Sequence, residues 1–217
     1  MFVIINYKTI ENKYETQGSV TLITILKKNN TELIAKIDTE DLEKVQAMGT
    51  WFAEWHKDFN SYLVQNLTTT KVDKKLKSTK RNLQSVILDT AASAPIRHIN
   101  GDTLDNRKCN LDIVDRKAKN EYEVIDDDTI AVILKDRYGK AQAKALISAK
   151  DLDKVVNKKY TWIYHKGYKQ PQVIAHTPQG KVHLEDIIMK PGENMRVHHI
   201  NLNPLDNRRK NLENKHK

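Results

Sequence analysis

Arg97-His98-Ile99-Asn100-Gly101-Asp102-Thr103-Leu104-Asp105-Asn106-Arg107-Lys108-Cys109-Asn110-Leu111 occurs again near the C-terminus, as His198-His199-Ile200-Asn201-Leu202-Asn203-Pro204-Leu205-Asp206-Asn207-Arg208-Arg209-Lys210-Asn211-Leu212. Placing His98 on His199 brings His-Ile-Asn, Leu-Asp-Asn-Arg and Asn-Leu into register without a gap. Chance does not produce such agreement, so the chain reads as a tandem duplication.

Upstream of each copy the same order of elements repeats. Leu83, Val86 and Ile87 match Leu184, Ile187 and Ile188, and each set fits one face of a short helix. Earlier still, Thr50-Trp51 answers Thr161-Trp162, with strand-like Tyr62-Leu63-Val64 and Gln172-Val173-Ile174 following. Before the tryptophans, β-branched runs predict hairpins over 20–37 and 130–147. Thr39 is placed to cap a helix over 40–47, and Ser148-Ala149-Lys150-Asp151 has capping-box spacing ahead of Leu152 and Val155. The first copy carries about ten extra residues within 70–81, where Lys71, Lys74, Lys75, Lys77, Lys80 and Arg81 face one acid, Asp73. This segment is either a solvated loop or a phosphate-tracking one.

The expected fold is therefore α+β: two tandem similar modules, each a small antiparallel sheet with short helices. Residues 1–17 form an arm or edge strand, 18–120 the first module and 121–217 the second. Two copies suggest a monomer that is an internal pseudo-dimer. Trp51, Trp55 and Trp162 read as core anchors in preference to base-stacking platforms.

The 217 residues include 39% hydrophobic ones, enough for packed cores. A net charge of +9 favours a polyanionic partner, although ribosomal, chromatin-like and membrane-surface proteins share this balance. No long apolar run is present, and Met1-Phe2-Val3-Ile4-Ile5 is broken by Asn6 and Lys8. A cytoplasmic protein with no membrane partner is the expectation. The single cysteine, Cys109, excludes an internal disulfide and a multi-cysteine zinc site, and is expected to be moderately buried.

The repeated stretch also carries chemistry. A histidine at a strand end, an Asn-Gly type of turn, and an asparagine twelve residues on bring a base and an orienting amide together. Neutral imidazole accepts a proton at one ring nitrogen when the other is fixed by an acceptor. Phosphodiester cleavage needs such a base and a divalent cation to neutralise developing charge.

His-Ile-Asn-Gly-Asp-x-Leu-Asp-Asn-Arg-x-x-Asn-Leu resembles the signature of the HNH (His-Me finger, ββα-metal) endonucleases of the phage and intron-encoded homing type. The resemblance extends twice over nearly the whole chain, down to a tryptophan and a Gly-Tyr pair such as Gly167-Tyr168. It implies a metal-dependent endonuclease that hydrolyses phosphodiester bonds of double-stranded DNA by a nick or a double-strand cut. Each module would end in a ββα finger holding one Mg²⁺, or Mn²⁺, beside a histidine base. His98 and His199 fall on that base, and Asn110 and Asn211 on the asparagine that orients it. The residue before the base is commonly a ligand, which suits His198; Arg97 cannot ligate a cation but matches a variant with arginine there.

A further ligand of the family comes from a following helix, which makes Asn120 the candidate in the first copy, while the second copy ends before reaching it. The first copy is narrowly favoured as the active centre on that ground. DNA contacts are expected from Arg97, Arg107, Arg208, Arg209, Lys74, Lys75 and Lys77, with Arg107 and Arg208 equally suited to pairing with a local acid. Asp105-Asn106 and Asp206-Asn207 read as turn and capping residues. His56, His165, His176 and His183 read as surface or strand residues. The alternative is a DNA-binding regulator or accessory recognition subunit that keeps this scaffold without catalysis. Either would work in the cytoplasm of a bacterium or of a phage-infected host cell.

Overall fold

A computed structural model describes residues 6–72, 75–167 and 170–217, with only the backbone of 69–72 and 75–77. Lys74 and Tyr168 lie outside the described residues, and the side chains of Lys75 and Lys77 are not described. The protein is mixed α+β, mostly strands in several small sheets with a few short helices. It divides into two compact units, Met1–Ile113 and Val114–Lys217.

In the first unit, β1 (Lys13–Gln17), β2 (Val20–Leu26) and β3 (Glu32–Asp38) pair antiparallel. The alternation of β2 turns Thr21, Ile23 and Ile25 into the core and leaves Leu22 and Thr24 half-buried. A short 3₁₀ turn and α1 (Leu42–Ala47) follow, then β4 (Trp51–His56), β5 (Ser61–Val72), β6 (Lys75–Asn82) and α2 (Leu83–Ile87). β1 is thus the edge strand expected of the N-terminal segment, paired with β2 along its whole length. The basic insertion is not a loop. It prolongs β5 and β6 into an antiparallel ribbon paired out to Val72 and Lys75. The motif itself supplies β7 (Ile96–His98) and β8 (Leu111–Ile113), paired with each other.

The second unit repeats the order. β9 (Tyr122–Asp126), β10 (Thr129–Lys135) and β11 (Ala141–Ser148) form an antiparallel sheet, followed by α3 (Leu152–Val155). β12 (Ile163–Lys166), β13 (Pro171–Thr177) and β14 (Gly180–His183) lead into α4 (Leu184–Met189). The second motif contributes β15 (Met195–His199), β16 (Asp206–Asn207) and β17 (Leu212–His216), with β16 parallel to β11 and β15 antiparallel to β17. The first unit has the same parallel contact as a single bridge from Lys36 to Asp105.

Each core is closed by its tryptophan. Trp51 and Trp162 are fully buried, and their indole N–H groups donate to Val45 O at 2.9 Å and Val155 O at 2.8 Å. Trp55 departs from the expectation: it is 53% exposed, edge-on to Tyr62. The motif leucines Leu111 and Leu212 join the two cores, so each motif is anchored by the apolar face it adds.

Asn120 belongs to the second unit and is its internal strut. Its amide donates to Ile133 O and Trp162 O, and its carbonyl accepts Trp162 N–H at 2.7 Å. Asn12 does the same in the first unit, to Thr24 O and Trp51 O with Trp51 N–H in return. Both ends of its buried carboxamide bond backbone of the second unit, a structural role in place of the metal-ligand role expected of it. Between β8 and β9 residues 114–121 run as loop, with no helix. The helix expected after the first motif is thus not formed.

Candidate functional site

Both motif loops are built on one hydrogen-bond plan. Asn110 Oδ1 accepts Asn100 N–H and its amide donates to Asp105 O at 2.7 Å; Asn211 repeats this with Asn201 N–H and Asp206 O. Neither reaches its histidine. The two asparagines expected to orient the base fasten the two ends of the loop instead.

The asparagines that meet the histidine rings are those that read as turn residues. Asn106 Oδ1 lies 3.3 Å from His98 Nε2, and Asn207 Oδ1 lies 3.2 Å from His199 Nε2. The Asn207 amide donates to Pro204 O at 3.0 Å, which leaves its carbonyl oxygen facing the ring. An acceptor there requires Nε2–H, so Nδ1 keeps the lone pair and is the basic atom. The signal was in the sequence, as an asparagine eight residues after each histidine in both copies.

The two basic nitrogens meet opposite environments. His98 is 7% exposed, its Nδ1 is buried without a hydrogen-bond partner, and Phe59 stands edge-on to its ring. Burial pushes its pKa below the ordinary value, against the opposing pull of Asn106, Asp102 and Asp105. A sealed imidazole cannot take a proton from a nucleophile at a phosphate. His199 is half-buried and lines an open cleft of about 330 Å³, together with His183, Glu185, Arg196, His198 and Leu202. The second copy, and not the first, presents its motif histidine to an open cleft.

His198 Nδ1 lies 3.1 Å from Glu213 Oε1, across the β15–β17 pair. A carboxylate only accepts, so Nδ1 carries hydrogen and Nε2 remains free to bind a cation. In the first unit this rung holds Arg97, paired with Asp112 at 2.7 Å. The second unit therefore offers a donor where the first offers a fixed positive charge. Glu185, at the start of α4, has its carboxyl pushed up by burial, while His183 and His199 pull the other way. Among the described residues no three of His, Cys, Asp and Glu converge closely enough to hold an ion alone.

The arginines expected on DNA are committed within their own units. Arg107 grips Asp105 through Nε and NH2 at 2.8 and 2.6 Å, and Arg208 grips Asp206 at 2.7 Å twice. The guanidinium holds each carboxyl below its usual range. Arg209 is bidentate to Asp151 and also donates to Ile188 O. Ser148 Oγ accepts Arg209 N–H. The apparent capping box of Ser148 and Asp151 is a clamp on the motif; Asp38 and Asp41 hold Lys108 in the same way in the first unit. Thr39 likewise caps nothing, since its hydroxyl donates to Gly18 O. Cys109 is exposed. Arg196, which the sequence did not single out, is exposed and lines the cleft.

Comparison with protein-family models, with curated proteins and with solved structures finds no match to this chain.

Proposed function

We propose that the chain is a metal-dependent DNA endonuclease of the HNH type whose working centre is the cleft of the second unit. The observation that carries this is His199: its Nε2 faces Asn207 Oδ1, and the ring lines an open cleft beside His198 and Arg196. Nδ1 is then available to take a proton from the water that attacks phosphorus. Asn207 holds the tautomer and the ring plane. Arg196 reaches a non-bridging phosphate oxygen as a charge-assisted donor. His198 Nε2, with Nδ1–H directed to Glu213, is suited to hold a divalent cation such as Mg²⁺ or Mn²⁺. When bound, that cation neutralises charge on the phosphate and the leaving oxygen. In the first unit Arg97, paired with Asp112, stands in that ligand's place and cannot itself ligate.

The competing reading is a DNA-binding protein without catalysis. It draws on His98, whose basic nitrogen is buried, and on the loop that follows β8 where a finger helix was expected. Supercoiled plasmid and a panel of phage and bacterial DNAs, incubated with Mg²⁺ or Mn²⁺, separate the two. The nuclease reading expects nicking that His199→Ala abolishes and His98→Ala leaves within a few-fold. Salt-sensitive binding with no cleavage of any DNA under either metal would sink it.

A further inference from the structure

The duplication provides an internal comparison. The residues that build the loop are the same in both copies: Asp105 and Asp206, Asn106 and Asn207, Arg107 and Arg208, Asn110 and Asn211. Three of the residues at the cleft differ. His183, Glu185 and His198 of the second unit stand where the first has Asn82, Gln84 and Arg97. At each of these positions the first copy has an amide or a permanent cation, and the second an imidazole or a carboxylate. The scaffold is kept while an imidazole and a carboxylate are gathered at these positions in one copy only.

Glu185 is the chemically distinctive member. It is the one carboxylate among the described residues lining the cleft, and its side chain is 18% exposed. His183 Nδ1 lies 3.7 Å from its carboxylate, beyond hydrogen-bond distance. Glu213, the other acid near His198, already pairs with Lys215 at 2.7 Å. A hard divalent cation prefers oxygen, and Mg²⁺ commonly takes one or two carboxylates and completes its shell with substrate phosphate and water. Such a shell needs no preformed cluster of three protein ligands.

We propose that Glu185, in the first turn of α4, is the second protein ligand of a divalent cation held with His198. For the purpose that ion serves, the inference rests on the endonuclease reading; for the existence of the ion site it does not.

The test is Mn²⁺ binding to the full chain, followed by loss of the free-ion EPR signal, in parallel with plasmid nicking. Glu185→Gln is the main variant, since glutamine is what the first unit carries there and the fold accommodates it. Far-UV CD and a melting curve confirm that the variant is folded. The expected result is Mn²⁺ affinity reduced at least about tenfold by Glu185→Gln and by His198→Ala. His199→Ala should keep affinity and lose nicking. Wild-type affinity in Glu185→Gln, or no Mn²⁺ binding by the wild type, overturns the proposal. Nicking that depends on His199 alongside unchanged Mn²⁺ binding in Glu185→Gln leaves the nuclease reading standing and removes this one. Mn²⁺ binding lost in Glu185→Gln, with no DNA cut by the wild type, does the reverse.

Discussion

His98 and His199 share a motif and an asparagine partner, yet burial gives them different chemistry. His98 has a folded-state pKa below its ordinary 6.5 because its charged form is desolvated. The unfolded chain therefore binds more protons than the folded one between those two values. Stability of the first unit rises with pH across that window and is lost as pH falls through about 6.5. Urea unfolding of the full chain at pH 5, 6 and 7 should show this decline, and His98→Leu should flatten it; equal pH slopes would contradict the assignment. The asparagines divide similarly. Asn207→Ala frees the ring of His199 and should lower nicking by about 10–100-fold with little change in DNA affinity. Asn211→Ala removes buried backbone contacts and should cost about 1–3 kcal/mol of stability, read as a lower urea midpoint.

At the level of elements, the motif loop is held by clamps that sequence reading assigned to other work. Ser148 and Asp151 have the spacing of a capping box, and local spacing cannot reveal that Arg209, far along the chain, claims both. Hairpins, tryptophan strands and helices were legible because their apolar periods are local and occur twice. The loop's hydrogen bonds were not legible, because Asn106 and Asn110 are the same residue type and only the path of the loop decides which faces the ring. Ribbon formation by 70–81 was hidden for the same reason, since its pairing partner is itself. One local strain was visible in the alignment: Gly101 has φ 78°, and its counterpart Leu202 has φ 62°. A left-handed leucine costs about 1–2 kcal/mol relative to glycine's freedom there. Leu202 is 73% exposed and lines the cleft, so little packing offsets that cost. Leu202→Gly should raise the unfolding midpoint by an amount corresponding to roughly 1 kcal/mol, and an unchanged or lower midpoint would show that the leucine is held for contact.

Across the whole molecule the charge is unevenly shared. The first unit carries 16 basic and 14 acidic side chains, net +2, and the second 21 and 14, net +7. The excess positive charge therefore resides with the unit that has the open cleft, where under the proposed function it would attract a phosphate backbone. Much of the rest of the basic inventory is not free for DNA, because Arg97, Arg107, Arg208 and Arg209 each hold a carboxylate of their own unit. Arg196 has the position that they lack. It is exposed, lines the cleft, and sits two and three residues from the paired histidines. If it contacts one phosphate, Arg196→Ala should weaken binding to every duplex by a similar factor. The slope of log affinity against log salt should become shallower by about 1. Arg208→Ala makes the contrast, because it leaves Asp206 buried without its partner: it should lower the unfolding midpoint while the salt slope of the folded fraction stays near wild type. A titration of fluorescent duplex at four salt concentrations, with both variants and the wild type, reads the two effects apart. An unchanged slope in Arg196→Ala would remove the cleft from the DNA-binding surface, and with it the reason for placing the chemistry there.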